Sequence, residues 1–305
     1  MSLPSAPPDA LLRLIAKAVS LYGNGINNYI LWQLPQCNIT SNPYSDSSQT
    51  GATGTFGLFN CIAIQNGAIS VVVWFYVPSG GQGVLLSFQD QQYPSNESVD
   101  WISWLYIGTD GRLYATDWCN AFLQVITPSP ISPGWHMAVV EEWADSTTGP
   151  YHLALYLDGT FIGSSSISNL PTLFGGKYPY NGNGYPYSDI GTGYSNGFPA
   201  TNNNWFFFNG AIAYIALYNR VLRPDEVMAI YQGCKITSGL VAKYTGDSYD
   251  PSTGTWIDTV NGYNATLVTT GDTPDAVNLL SLSNCPTCLP PTVPSQAFPP
   301  IVGST

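Results

Sequence analysis

The stretch Ala68-Ile-Ser-Val-Val-Val-Trp-Phe-Tyr-Val77 is built almost wholly of β-branched and aromatic residues, and Pro78-Ser-Gly-Gly81 stops it. That is the composition of a strand closed by a turn. Outward from it the same signal repeats. Val84-Leu-Leu-Ser-Phe88 reads as the next strand. Trp101 to Ile107 and Arg112 to Thr116 flank Asp110-Gly111, while His152 to Leu157 and Thr160 to Ser164 flank Asp158-Gly159. Asp-Gly between apolar runs is a strong hairpin signal, because both turn positions need a positive φ. Gly210 to Tyr218 gives a further strand, and Pro224-Asp225 opens a short helix that runs through Tyr231 to Gly233. Short strands from about residue 50 to 220, with no long helices between them, predict an antiparallel sandwich or jelly roll.

The flanks differ. Residues 9–22 place Leu11, Leu14, Ile15, Ala18, Val19 and Tyr22 on one face of a helix, with Asp9 as N-cap and Gly23 as stop. This predicts an N-terminal amphipathic helix within an arm over 1–50. The sandwich is expected over 51–270. A tail over 271–305 is expected to be extended, since residues 285–305 hold six prolines.

Composition narrows the function. The chain has 305 residues with a net charge of −11, only 9% charged residues, two His and 13% aromatics. That balance excludes a basic nucleic-acid surface. At 44% apolar residues the chain can bury a large core, and no apolar run is long enough for a spanning helix. The low charge also suits an acidic habitat, where carboxylates lose their charge. Six cysteines (Cys37, Cys61, Cys119, Cys234, Cys285, Cys288) are compatible with disulfides of unspecified pairing. Cys285-Pro-Thr-Cys288 lacks the second pair that a zinc site needs. N-x-S/T sequons at Asn38, Asn96 and Asn264 are candidate glycosylation sites. The first residues do not read as a secretory signal. An extracellular surface or a virion is the expected location.

Several segments together resemble the laminin-G-like, concanavalin A-like lectin/glucanase sandwiches. Ile69 to Trp74 resembles the first long core strand of that family. Trp135-His-Met-Ala-Val-Val140 and Leu155-Tyr-Leu-Asp-Gly159 resemble two further strands, and Ile190-Gly191 another. Phe208-Asn-Gly-Ala-Ile-Ala-Tyr-Ile-Ala-Leu-Tyr-Asn-Arg-Val-Leu222, followed by Glu226 and Tyr231, is similar to the closing signature. The resemblance covers 68–233 and implies a concanavalin A-like jelly roll. Two departures stand out. Ala213 replaces an acidic residue often found there, and residues 239–267 resemble a segment that usually opens such a domain. That segment would complete its own domain by permutation, begin a truncated second module, or be offered to a neighbouring subunit.

Glucanases of this family carry paired acids on one strand face. Here only Glu97, Glu141, Glu142 and Glu226 are glutamates, and adjacent Glu141 and Glu142 point to opposite faces of a strand. No catalytic residue is therefore assigned. His136 and His152 are expected to be packed or hydrogen-bonded on strands. Some laminin-G domains bind calcium, but Asp110 and Asp158 are explained as turn residues, so neither a metal site nor a cofactor is assigned. The aromatic loop over 175–209 supplies the candidate glycan-binding residues Tyr180, Tyr185, Tyr187, Tyr194 and Trp205, with Tyr178 beside them. Tyr set among Ser, Gly and Asn is a composition that builds recognition surfaces. The resulting expectation is a non-enzymatic surface or adhesion protein, possessed of a lectin-like sandwich and assembled through its arms into an oligomer. The alternatives are a free secreted lectin and a glucanase-type glycoside hydrolase.

Overall fold

A computed structural model describes residues 17–20, 31–93, 95, 100–118, 122–176, 184–268 and 279–281. Two antiparallel sheets face each other. The first runs β12 (Thr160–Ile167), β11 (Tyr151–Leu157), β10 (Gly134–Ala144), β5 (Ala68–Val77), β14 (Ala211–Tyr218), β1 (Lys17–Ser20) and β19 (Leu279–Ser281), with β15 (Leu240–Thr245) also on β14. The second runs β16 (Tyr249–Asp250), β17 (Thr255–Trp256), β18 (Ala265–Val268), β2 (Leu31–Gln33), β13 (Tyr187–Ile190), β6 (Gly83–Gln89), β7 (Trp101–Ile107), β8 (Leu113–Trp118) and β9 (Phe122–Ile126). A small ribbon joins β3 (Gln36–Ile39) to β4 (Gly54–Gly57).

The unbroken apolar run of β5 has a simple cause: both of its faces are covered. Val71, Val73 and Phe75 pack into the core between the sheets. Val72 and Trp74 pack into a second cluster on the other side, beneath α2 (Pro224–Tyr231), with Val227 and Ile230. A strand buried on both faces has no reason to alternate. Trp74 stacks on Tyr231, ring centroids 5.7 Å apart and planes within 8°.

Both Asp-Gly pairs lie between paired strands, but only Asp158-Gly159 forms the expected two-residue turn; at the other, Gly111 alone of the pair has a positive φ, in a longer loop where the Gly108 N–H meets the Arg112 carbonyl. Asp158 and Gly159 take φ of 50° and 77°, the left-handed pair that a two-residue hairpin demands. Asp158 also accepts the Met137 N–H at 2.9 Å and meets His136 Nδ1 at 2.7 Å. His136 Nε2 lies 2.7 Å from the Ser132 carbonyl. Both ring nitrogens thus face acceptors, which favours the imidazolium. Although burial pulls the His136 pKa down, the Asp158 carboxylate outweighs it and raises it.

Glu141 and Glu142 do point to opposite faces of β10. Glu141 accepts the Ser70 hydroxyl at 2.8 Å and the Leu222 N–H at 2.9 Å, under α2. Glu142 accepts the Trp104 indole N–H at 3.2 Å, between the sheets. Glu226 is structural: Arg220 grips it with two bonds of 2.7 and 2.8 Å, and it accepts the Arg223 N–H at the start of α2.

Two findings depart from the sequence reading. The helix expected over 9–22 is not formed at residues 17–20, which are strand β1, paired as Val19↔Ile212 and Ser20↔Ala211; the rest of it lies outside the described residues. The free edge of β14 offers backbone partners there, and sheet pairing overrides the local helical pattern. A helix not anticipated, α1 (Leu58–Asn66), follows β4. Of the three readings of residues 239–267, the structure shows the self-completing one: they are added to both sheets of their own chain. β15 pairs with β14, and β18 with β2 as Leu267↔Trp32. Cys37 and Cys61 form a disulfide tying β3 to α1. Cys234 is exposed and unpaired among the described residues, and Cys119, Cys285 and Cys288 lie outside them, as does the expected extended tail apart from β19.

Candidate functional site

Because β7 and β8 are antiparallel neighbours, the first residue of one and the last of the other meet at the same end of the sheet. Those residues are Trp101 and Trp118, both partly exposed. The loop after β13 crosses β7 here: Ser103 donates to the Tyr194 carbonyl at 3.1 Å, the Trp101 indole to that of Asn196 at 2.8 Å, and Tyr106 to that of Pro199 at 2.9 Å. Between loop and strands opens a hollow of about 250 Å³, whose lining includes Asp100, Trp101, Trp118, Tyr185, Asn196 and Phe198. Asp100 also lines a second hollow of about 500 Å³ with Gln36, Asp90, Gln91 and Tyr187. The two hollows adjoin at Asp100, the first lined by aromatic rings and the second by carboxylates and amides.

The electrostatics are acidic. Burial, reinforced by the charge of Asp90, pushes Asp100 up to about 6. The Tyr185 phenol is raised well above its ordinary range by burial and then by Asp100, Asp117 and Asp90. Behind the cleft, Asp117 and Glu142 are fully buried between the sheets. Burial raises both; Asp117 raises Glu142 further, while the hydrogen bond from Glu142 lowers Asp117, so the pair holds a proton on Glu142. No substrate reaches this pair, so it is not a catalytic dyad.

The residues expected to bind glycan divide into five groups. Tyr178 and Tyr180 lie outside the described residues. Tyr185 is 4% exposed, its ring against Phe56 and Phe88, so it contributes an edge to the cleft wall and not a stacking face. Trp205, at 7% exposed, is a correction: its ring is enclosed by Tyr93 and Tyr194, and its indole N–H binds the Ser95 carbonyl at 3.1 Å. It holds the loop together. Tyr194 packs edge-on to Trp101 at 4.9 Å and supports that indole, and Tyr187 lines the cleft directly.

Trp101, Trp118, Asp100 and Asn196 were not singled out from the sequence. Only Asn196-Gly197 carries a local signal, that of a turn. Asp110 is occupied by Arg112 at 2.7 Å and Tyr114 at 2.7 Å, in keeping with its turn role. Among the described residues no group of three or more His, Cys, Asp or Glu is arranged to hold a metal. No helix there is long and apolar enough to cross a membrane.

The sandwich topology agrees with a sequence match: residues 50–228 match the concanavalin A-like lectin/glucanases superfamily, laminin-G type. The chain belongs to that superfamily. Comparison with curated proteins finds no match. Among solved structures, a Bacteroides ovatus protein provisionally assigned as carbohydrate-binding is similar in fold, with a TM-score of 0.50, 14% identity, and 88% of this chain and 60% of that one covered. This superfamily member therefore spans less than two thirds of the length of that protein. A heptameric pentraxin of Limulus polyphemus gives a TM-score of 0.43 at 12% identity, over 87% of this chain and 94% of that one. A sialidase-derived carbohydrate-binding module of Ruminococcus gnavus, bound to sialyllactose, gives 0.40 at 16%, over 65% and 97%.

Proposed function

We propose that this superfamily member is a non-catalytic, carbohydrate-binding protein of an extracellular or virion surface, with the cleft at Trp101 and Trp118 as its sugar site. The observation that carries the reading is the convergence of two partly exposed indoles with Asp100 and Asn196 in one hollow. Pyranose rings present C–H faces that pack on indoles and hydroxyls that bond to carboxylates and amides, and ligand sites combine apolar walls with a few placed polar groups in this way. The Cys37–Cys61 disulfide supports an oxidising, extracellular location. Asn38 and Asn264 are exposed, as glycosylation would require, while Asn96 lies outside the described residues. For assembly into an oligomer we propose the sheet edge at β19, which pairs with β1 as Lys17↔Ser281.

The test is a glycan array probed with the full chain and with Trp101→Ala and Trp118→Ala. The wild type should retain a defined set of glycans, and each variant should lose about tenfold in affinity, the worth of an aromatic contact. Silence from folded protein, or variants that bind unchanged, would refute the assignment. A second reading, glycoside hydrolysis, is favoured by one observation: Asp90 and Asp100 share the open cleft, and Asp100 is pushed up to about 6, as a general acid requires. Release of new reducing ends from a bound glycan would establish it, and an intact glycan after prolonged incubation would leave the binding role.

A further inference from the structure

The cleft contains two carboxylates and, among the described residues, no basic side chain lines it. Every described arginine is engaged elsewhere: Arg112 with Asp110, Arg220 with Glu226 and Arg223 with Asp225. Lys235 and Lys243 line a different hollow, beside Tyr214. Among the described residues, the groups facing Asp100 are Asp90, which donates its backbone N–H to the Asp100 carbonyl at 3.0 Å, and the tyrosines Tyr185 and Tyr187; Asp117 lies behind Tyr185. A half-buried carboxylate beside another carboxylate is costly to ionise, and a ligand cation is what would relieve that cost.

We propose that the cleft takes a cationic amino sugar, with Asp100 receiving the protonated 2-amino group of a hexosamine whose ring lies on Trp101 and Trp118. This rests on the carbohydrate-binding reading and narrows it. A charge-assisted bond in a partly desolvated cleft is stronger than the neutral bond an acetamide makes there. The same field works against sialylated, uronic or sulfated sugars. Asp90, Asp100 and the net charge of −11 all repel an anion.

The experiment is calorimetric titration of the full chain near pH 6.5 with paired tetrasaccharides of glucosamine and N-acetylglucosamine, the corresponding galactosamine pair, and sialyllactose. The free-amine member of one pair should bind about tenfold more tightly than its N-acetyl partner, and sialyllactose should bind least. Asp100→Asn should bring that ratio close to one, with circular dichroism of the variant checking that it is folded. If that variant does not fold, the wild type supplies the same readout, since the preference should vanish below about pH 5 as Asp100, raised to about 6, takes up its proton. Equal or tighter binding of the N-acetyl sugars or of sialyllactose, or an unchanged ratio in Asp100→Asn, would overturn the amino-sugar assignment and leave the carbohydrate site standing. Folded wild type that binds no saccharide would overturn both.

Discussion

Asp189 is fully buried, with one carboxylate oxygen taking the Gln89 amide N–H at 2.7 Å and the other without a hydrogen-bond partner among the described residues. Burial pushes its carboxyl up to about 8, only partly opposed by Gln89. The folded protein therefore holds a proton here that the unfolded chain releases near pH 4. Stability from this group is fully present below pH 4 and is lost as pH rises to 8. Asp189→Asn should flatten the fall in unfolding free energy between pH 5 and 9 by several kcal/mol, read from urea unfolding at each pH. An unchanged slope would show that Asp189 is ionised in the folded protein. Trp205 teaches the complementary lesson. Its place in a Tyr- and Asn-rich loop was visible in the sequence, but the loop turns the ring inward onto Tyr93 and Tyr194. Composition reveals that a loop is rich in rings and leaves open which way they face.

At the scale of elements, what was legible followed from covalent and steric rules. β5 and β7 match their expected spans to the residue, because β-branched runs stopped by Pro or Gly have few other options. Asp158-Gly159 lies at its hairpin because few residues accept both positive φ values. α1 escaped notice since Leu58 to Ile64 are all buried, leaving no 3.6-residue stripe; only the bracketing Gly57 and the left-handed Gly67 mark its ends. The cleft was illegible for a related reason, since Trp101 and Trp118 meet only through the β7–β8 pairing and the crossing loop. The disulfide fixes α1 to the β3–β4 ribbon across 24 residues of sequence. Loop-closure entropy for that span assigns it about 3–4 kcal/mol. Cys37→Ser with Cys61→Ser should lower stability by that amount in denaturant unfolding, and a loss below about 1 kcal/mol would contradict a structural role.

Across the whole molecule the buried acids act together. Burial raises Glu141 to about 7 and Asp189 to about 8, and it holds Asp117 and Glu142 above their ordinary ranges. All of these favour the folded state in mild acid and penalise it as pH climbs through 6 to 8. Opposed to them are Asp46 and Glu226. Burial pushes Asp46 upward, yet the N–H groups of Leu170, Ser48 and Gln49 outweigh it and hold the carboxyl at about 2. The Arg220 guanidinium keeps Glu226 low. Those contributions are lost only as pH falls below about 4. The melting temperature should therefore peak between about pH 4 and 6 and decline steadily to pH 9, as measured by calorimetry across buffers. A maximum at pH 8 would contradict the protonation assigned here. Scarce charge in the sequence thus corresponds to carboxylates sealed in the core, together with a cleft where two remain at the surface.

The central claim is that sugar is held at the Trp101–Trp118 end of the second sheet. The chain has nine tryptophans, and each gives its own indole N–H resonance in a nitrogen-15 correlation spectrum. Titration with the best glycan from the array should shift the Trp101 and Trp118 resonances together, leaving Trp135 and Trp143, on the far side of the first sheet, in place. Shifts confined to Trp135 and Trp143, or no shift with a glycan that binds, would place the site elsewhere and contradict the account.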